Sequence, residues 1–443
     1  FLVGDGVVPS NEGRGYVLRR ILRRAARFLR TLGVREPMIY RLSSTVIDQM
    51  GDAFPELLDK GQLIATVIKG EEERFLETLD TGLKYFDKIT ENMSSGDMIK
   101  GEDVFRLYDT YGFPIDLTAL IARDRDLQMD TDGFNRELEM QREKARRGAG
   151  FKGQMTLGRD EQWTELSDES DSEFTGYRPA HELSEKTRIV RYRFLDDGRI
   201  IVVLNKTPFY AESGGQIGDR GTMQGKGFEI DITDTVKDNG TFLHIGTLKG
   251  TIDSPEVDVC VEDNLRRDIA RNHTATHLLH AALRQVIGDH ARQSGSHVGP
   301  DRLRFDYTHF EKLTHEQLLE IEKNVNLEIT KNYPVQTEQD QYENALKKGV
   351  TALFGEKYED VVRIVSIGDV SHELCGGTHV ERTGDIGAFI IIAEESVGSG
   401  TRRIEAVTGS EAISYLQNIR SRMDESRELL KTSVDTLPEK VDE

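Results

Sequence analysis

Two histidines four residues apart lie in Arg271-Asn272-His273-Thr274-Ala275-Thr276-His277. On a helix that spacing presents His273 and His277 on one face, the arrangement by which a helix supplies a pair of metal ligands. The zinc-protease pattern is excluded, because it needs Glu directly after the first His as general base and position 274 is Thr. Further on, Glu373-Leu374-Cys375-Gly376-Gly377-Thr378-His379 offers a thiol and an imidazole around two glycines, which allow a tight loop to aim both side chains at one point. His273, His277, Cys375 and His379 make a Cys/His₃ set, soft enough for Zn²⁺ and poor for Mg²⁺ or Ca²⁺. The alternative is a surface histidine pair with an unrelated Cys and His. Four protein ligands also close a tetrahedral shell, so a purely structural zinc stays open beside a catalytic one. Cys260, in a β-rich run, reads as a small core residue.

A second run able to do chemistry is Glu212-Ser213-Gly214-Gly215-Gln216-Ile217-Gly218-Asp219-Arg220-Gly221. It is neither G-x-G-x-x-G opening a helix nor a Walker loop, so a nucleotide cradle fails on context. Two readings remain: a bulged hairpin, or a loop whose amides and Gln216 approach a ligand closely because glycines remove the Cβ barrier. Nearer the start, Arg14, Arg19, Arg20, Arg23, Arg24, Arg27, Arg30 and Arg35 occur with no acid among them. Val17, Leu18, Ile21, Leu22, Ala25, Phe28, Leu29 and Leu32 interleave at helical spacing. That pattern predicts an amphipathic helix with an apolar stripe and an arginine face, N-capped by Ser10 or Asn11. Such a face is either solvated and paired with acids elsewhere, or it meets phosphates, for which guanidinium is well suited.

The elements that must position these groups follow from the periodicity. Helical patterns at 42–50, 57–79 and 134–147, separated by Gly and Pro breaks, predict a mainly helical start. Seven acids and no base over 160–173, just after four glycines, mark a linker. The period then changes to two. Runs at 188–194, 200–206, 227–235, 241–248 and 256–261, split by turn signals, predict a small barrel or closed sheet. Helices over 262–288, 314–332 and 411–431, with strands near 335–338, 361–367, 387–394 and 402–407, complete a multidomain α+β chain. Its 58 basic and 78 acidic residues give a net charge of −20, which for the whole chain favours a self-repelling cytoplasmic protein over a nucleic-acid binder. Two cysteines make no disulfide framework, and no apolar run reaches the roughly 18 residues of a membrane span. The lack of an initiator Met and the charged, helix-like end read as a piece of something longer.

At this point the residues carry a likeness. Asp5-Gly6-Val7-Val8-Pro9-Ser10-Asn11-Glu12-Gly13-Arg14-Gly15-Tyr16-Val17-Leu18-Arg19-Arg20 closely resembles a signature of bacterial-type alanyl-tRNA synthetases, and Leu107-Tyr108-Asp109-Thr110-Tyr111-Gly112-Phe113-Pro114 resembles a second. The 212–221 loop, the His273/His277 helix, Cys375 to His379 and Arg402-Arg403-Ile404-Glu405 are similar to that family's editing region, in the same order.

The resemblance implies a helical tRNA-recognition domain over 1–160 and the β-barrel part of an editing domain over 165–260. It further implies a zinc-binding α/β editing core, shared with threonyl-tRNA synthetases, over 261–410. Residues 411–443 would begin a helical connection to a C-terminal domain through which the parent protein oligomerises. The class II aminoacylation core, with its ATP and Mg²⁺, would precede Phe1, so no aminoacylation is expected of this chain.

The implied partner is tRNA(Ala). Asn11 and Asp109, with Asp116 a rival for the second role, would read the G·U pair of the acceptor stem, and short polar groups suit the shallow minor groove of A-form RNA. Arg14, Arg19, Arg20, Arg23 and Arg24 would meet its phosphates. One zinc on His273, His277, Cys375 and His379 would serve hydrolysis of seryl- or glycyl-tRNA(Ala). Such editing is needed because a pocket for alanine rejects the smaller glycine, or an added hydroxyl, only weakly. Gln293 would orient water or substrate, and Gly214, Gly215 and Gln216 would line the same cleft. Two other classes compete: a tRNA-binding module whose zinc only staples the fold, and a small-substrate metallohydrolase that binds no RNA.

Overall fold

The computed structural model describes residues 1–10, 13–148, 163–170, 172–352, 359–398, 400–433, 436 and 440. The chain divides into two compact units, Phe1–Arg159 and Asp160–Val397 with Thr401–Glu443. No described helix is long and apolar enough to cross a membrane.

The first unit is helical: α1 (Gly13–Thr31), α2 (Ile39–Met50), α3 (Pro55–Asp59), α4 (Gly61–Thr90), α5 (Gly101–Asp109), α6 (Ile115–Asp124) and α7 (Thr131–Gly148). One parallel pair, β1 (Met98–Ile99) with β2 (Gln128–Met129), ties the α4–α5 and α6–α7 connections together. The long α4 carries Phe75, Leu79 and Phe86 at helical spacing, and these pack with Leu107, Phe113, Leu117 and Phe134 in one core. Each such buried side chain contributes about 2 kcal/mol relative to exposure.

The orientation of α1 departs from the expected arginine face. Arg19 and Arg23 are buried, while Val17, Ile21, Phe28 and Leu32 are exposed. The physical reason is Glu71 of α4, whose side chain is fully buried and whose charge must be compensated there. Arg23 Nε donates to Glu71 Oε1 at 2.7 Å, and Arg19 Nε lies 3.4 Å from the same oxygen. The i, i+4 spacing of the two arginines sets both guanidiniums on the face towards α4.

The second unit starts with β3 (Thr164–Glu165) and β4 (Glu173–Phe174). There follow β5 (Ser184–Phe194), β6 (Ile200–Leu204), β7 (Lys206–Thr207), β8 (Gly221–Gly225), β9 (Phe228–Asp238), β10 (Thr241–Gly250) and β11 (Glu256–Val261). Strands β11-β8-β9-β10-β6-β5 run antiparallel, and a β11–β5 pairing closes them into a six-stranded barrel. Inward Val257, Val259 and Val261 alternate with outward residues on β11. Cys260 is therefore exposed and not the core residue its β-rich surroundings suggested.

After the barrel come α8 (Asp263–Ile287), β12 (Gln293–Val298), β13 (Leu303–Thr308), α9 (His315–Thr330) and β14 (Val335–Gln341). The chain continues through α10 (Tyr342–Lys347), β15 (Val361–Ile367), β16 (Ser371–Leu374), β17 (Phe389–Gly398), β18 (Thr401–Thr408) and α11 (Gly409–Leu430). A four-stranded sheet of order β12-β13-β18-β17 receives α8 and α9, with Leu279 and Leu283 against Phe305, Tyr307, Ile321 and Ile404. A separate sheet, β14-β15-β16, carries the thiol-bearing loop at its end. Barrel and helix are joined by a buried ion pair between Arg266 of α8 and Asp219, whose carboxylate also accepts from Tyr210 N at 2.7 Å. Arg266 further donates to the carbonyls of Gly176 at 2.9 Å and Pro208 at 2.8 Å. The sequence patterns anticipated neither β8, β12 and β13 nor α5 and α6.

Candidate metal centre and its cleft

Helix α8 runs unbroken through Arg271–His277, so His273 and His277 point from one buried face. Strand β16 ends at Leu374 and delivers Cys375 opposite that face; the next four residues turn back to His379. One ligand atom from each of His273, His277, Cys375 and His379 lies within 4.8 Å of every other. Cys375 Sγ is 3.4 Å from His273 Nε2 and 3.3 Å from His379 Nε2. A Cβ at Gly377 would stand 2.0 Å from His273 Cε1, so only glycine allows the loop to pass the ring.

The outer edges of the rings test whether a metal fits. His273 Nδ1 lies 2.7 Å from Gln216 Oε1, an oxygen that also accepts from Thr378 N. His379 Nδ1 lies 3.1 Å from Thr274 Oγ1, whose own proton goes to Ala270 O. His277 Nδ1 lies 3.1 Å from Glu373 Oε2. Each partner is an acceptor, so a proton belongs on each Nδ1, and at His273 and His379 it is Nε2 that faces the thiol. Imidazoles that ligate zinc are oriented in this way. Burial resists ionisation of Cys375, yet His273 and His379 hold its thiol well below the usual range. Burial likewise opposes charge on His277, but Glu373 outweighs it and raises the ring to about 10, so without a metal this ring holds a second proton that a bound zinc would displace; burial pushes His379 down to about 3. A thiolate with three oriented imidazoles fits Zn²⁺.

Beside these donors lies a cleft of about 230 Å³ whose walls include Tyr210, Gly214, Thr276, Gln293 and Ser296. Gln293, half-buried at the start of β12, makes no side-chain hydrogen bond among the described residues, so its amide faces the cleft uncommitted. Gly215 does not border the cleft. Its φ is +82°, a Cβ there would meet Ser296 O at 2.5 Å, and its carbonyl accepts from Val298 N at 2.8 Å. It brings the barrel loop onto β12. Gln216, expected at the cleft wall, is fully buried under the donors and supports His273.

The family model for class II (A) tRNA synthetases matches residues 1–264, more than half of the chain. The chain belongs to that family. The model for the threonyl and alanyl tRNA synthetase second additional domain matches residues 362–405, which carry Cys375 and His379. Curated relatives include the alanine–tRNA ligases of Halorhodospira halophila, 47% identical over 455 residues, and of Pseudomonas fluorescens, 48% identical over 453. The matches cover 100% of this chain and 51% and 50% of those proteins, so the chain spans about half the length of the curated relatives it matches. Because the class II model matches from residue 1, the expectation that class II sequence lies wholly before Phe1 finds no support.

In the helical unit the residues expected to read tRNA are dispersed. Asn11 lies outside the described residues. Asp109 is exposed at the end of α5 and accepts from Gln141 Nε2 at 2.6 Å. Arg14 and Arg24 are exposed, and Arg20 lies 3.8 Å from Asp116. A cavity of about 580 Å³ brings Arg19, Arg23 and Asp109 to one rim. Sequence reasoning missed Glu373, Thr274 and Thr378 around the donors. The available signal was their position inside the two ligand motifs, one or two residues from a ligand.

Proposed function

We propose that this synthetase chain hydrolyses the ester of seryl- or glycyl-tRNA(Ala) in the Gln293 cleft, beside a zinc held by His273, His277, Cys375 and His379. The protein to which it belongs would be the ligase that attaches alanine to tRNA(Ala). The observation that carries the reading is the convergence of one nitrogen from each of three imidazoles and a thiol next to an uncommitted amide in a cleft of about 230 Å³. Identity of 47% and 48% to alanine–tRNA ligases supports it, as does the matched second additional domain over the thiol loop.

Zinc bound there supplies Lewis acidity to a carbonyl or a water. Gln216, Thr274 and Glu373 hold the imidazoles so that their lone pairs stay directed at one point. Gln293 orients the ester or the attacking water. In the helical unit, the cavity rimmed by Arg19, Arg23 and Asp109 is assigned to the acceptor stem, and Asn11, Arg14, Arg20 and Arg24 are further proposed tRNA contacts. Aminoacylation, with ATP and Mg²⁺, is assigned to the longer protein.

Deacylation of seryl-tRNA(Ala) tests the reading. The metal-loaded protein should exceed the spontaneous rate, and Gln293→Ala should be slower by about 100-fold at unchanged metal content. A spontaneous rate in loaded protein that still binds the tRNA would favour the module whose zinc only staples the fold.

A further inference from the structure

A second cavity of the barrel-containing unit, about 510 Å³, lies on the His379 side of the centre and is bordered by Arg178, Arg266, Arg267, Arg271 and Arg363. Four of these cations are already matched by acids. Arg178 pairs with Glu185 at 2.6 Å, Arg267 with Asp263 at 2.6 Å, Arg271 with Asp268 at 2.8 Å, and Arg266 with Asp219. Arg363, on β15, is different: among the described residues no carboxylate pairs with it. Its Nη1 donates to the carbonyls of Cys375 at 2.9 Å and Gly377 at 2.8 Å. Its guanidinium carbon sits 4.2 Å from the centre of the Tyr177 ring. Tyr177 is itself held in place, its hydroxyl donating to Gly376 O at 2.8 Å.

Among the described residues, Arg363 alone borders both this cavity and the metal cleft. The wall between them therefore carries a full positive charge whose Nε and Nη2 donors are uncommitted. It is anchored to the same loop that presents Cys375. An RNA 3′ end whose terminal ester enters the metal cleft must bring its last phosphodiester close by, because only the terminal ribose separates the two groups.

Resting on the editing reading above, we infer that Arg363 pairs with the phosphodiester of the 3′-terminal nucleotide and so registers the ester against the metal cleft. The Tyr177 ring fixes the guanidinium plane, and Arg suits the task because its fork matches two phosphate oxygens at once. The arginine-lined cavity then receives the nucleotide, and the smaller cleft receives the aminoacyl group.

The competing account gives Arg363 only a structural role, holding the Cys375–Gly377 carbonyls. Two substrates separate the accounts: seryl-tRNA(Ala), and 3′-O-seryl-adenosine, which has no phosphate. Arg363→Gln should raise KM for the tRNA by about tenfold or more, the loss of one charge-assisted contact. It should lower kcat/KM for the seryl nucleoside far less than that for the tRNA, with zinc retained. It should also flatten the dependence of log KM on log salt by about 0.7, the contribution of one phosphate in a single strand. Arg363→Lys should restore the salt slope while recovering only part of the KM. Equal slowing of both substrates, loss of zinc in Arg363→Gln, or an unchanged salt slope would each overturn the assignment. Wild-type protein that hydrolyses neither ester would instead sink the editing reading itself.

Discussion

At His273, His277 and His379 the telling atom is Nδ1, because its partner decides where the lone pair of the other nitrogen points. Glu373 is the strongest of these partners, a carboxylate that also lies 3.0 Å from His280 Nδ1. Glu373→Gln should weaken zinc binding by about 10–100-fold in competition with a chelator dye, with the fold retained. Cys375→Ala should abolish stoichiometric zinc, and full retention would remove the thiol from the ligand set. The four donors were legible in the sequence because i, i+4 spacing and the Cys-Gly-Gly-Thr-His run each have a direct geometric meaning. Gln216 was misplaced for an equally physical reason. It lies 57 residues from His273 in sequence, and no spacing rule tells which polar atom of a distant loop will meet a given ring nitrogen.

Among the elements, α8 and the barrel carry the site, and both contain buried charges or titratable groups that can be probed. Removing one partner of the Arg266–Asp219 pair leaves the other buried and alone, so Arg266→Met should cost about 3–5 kcal/mol in urea unfolding. Within the barrel, His244 is enclosed between Thr207 Oγ1 at 2.7 Å and Val202 O at 2.9 Å, and burial pushes it down to about 4 from an ordinary 6.5. The unfolded chain therefore takes up the proton first. Stability is undiminished above pH 6.5 and is lost as pH falls from there towards 4, by up to about 3 kcal/mol. Denaturant titrations across that range should show a steeper slope in the native protein than in His244→Gln, the remainder coming from other buried histidines such as His309. The barrel strands β5, β6, β9, β10 and β11 and the helices α8 and α9 were legible because apolar residues repeat at two or at three to four. By contrast β12, Gln293-Ser294-Gly295-Ser296-His297-Val298, has neither period nor β-branched residues before its end; pairing with β13 makes it a strand. The arginine helix was legible as a helix but not in full rotation, since a buried acid on α4 draws Arg19 and Arg23 onto the inner face beside Leu18, Leu22 and Ala26.

For the whole molecule, the net charge of −20 hides local differences: Arg363 has no carboxylate partner among the described residues, whereas its neighbours Arg178, Arg266, Arg267 and Arg271 are paired. The two compact units predict two thermal transitions. Only the unit holding the Cys/His₃ donors should respond to metal. Chelation should lower its transition by the linkage free energy, about 2.7 kcal/mol for a hundredfold excess of free metal over Kd, and leave the helical unit's transition in place, as calorimetry can show. The central claim is that seryl-tRNA(Ala) is hydrolysed at the zinc centre of this chain. The most direct measurement follows the deacylation rate and the zinc content in the same samples as a chelator withdraws the metal and zinc is then restored. The account predicts that rate and content fall and return together. A rate that persists in metal-free protein, or one that stays at the spontaneous level at full zinc occupancy, would contradict it.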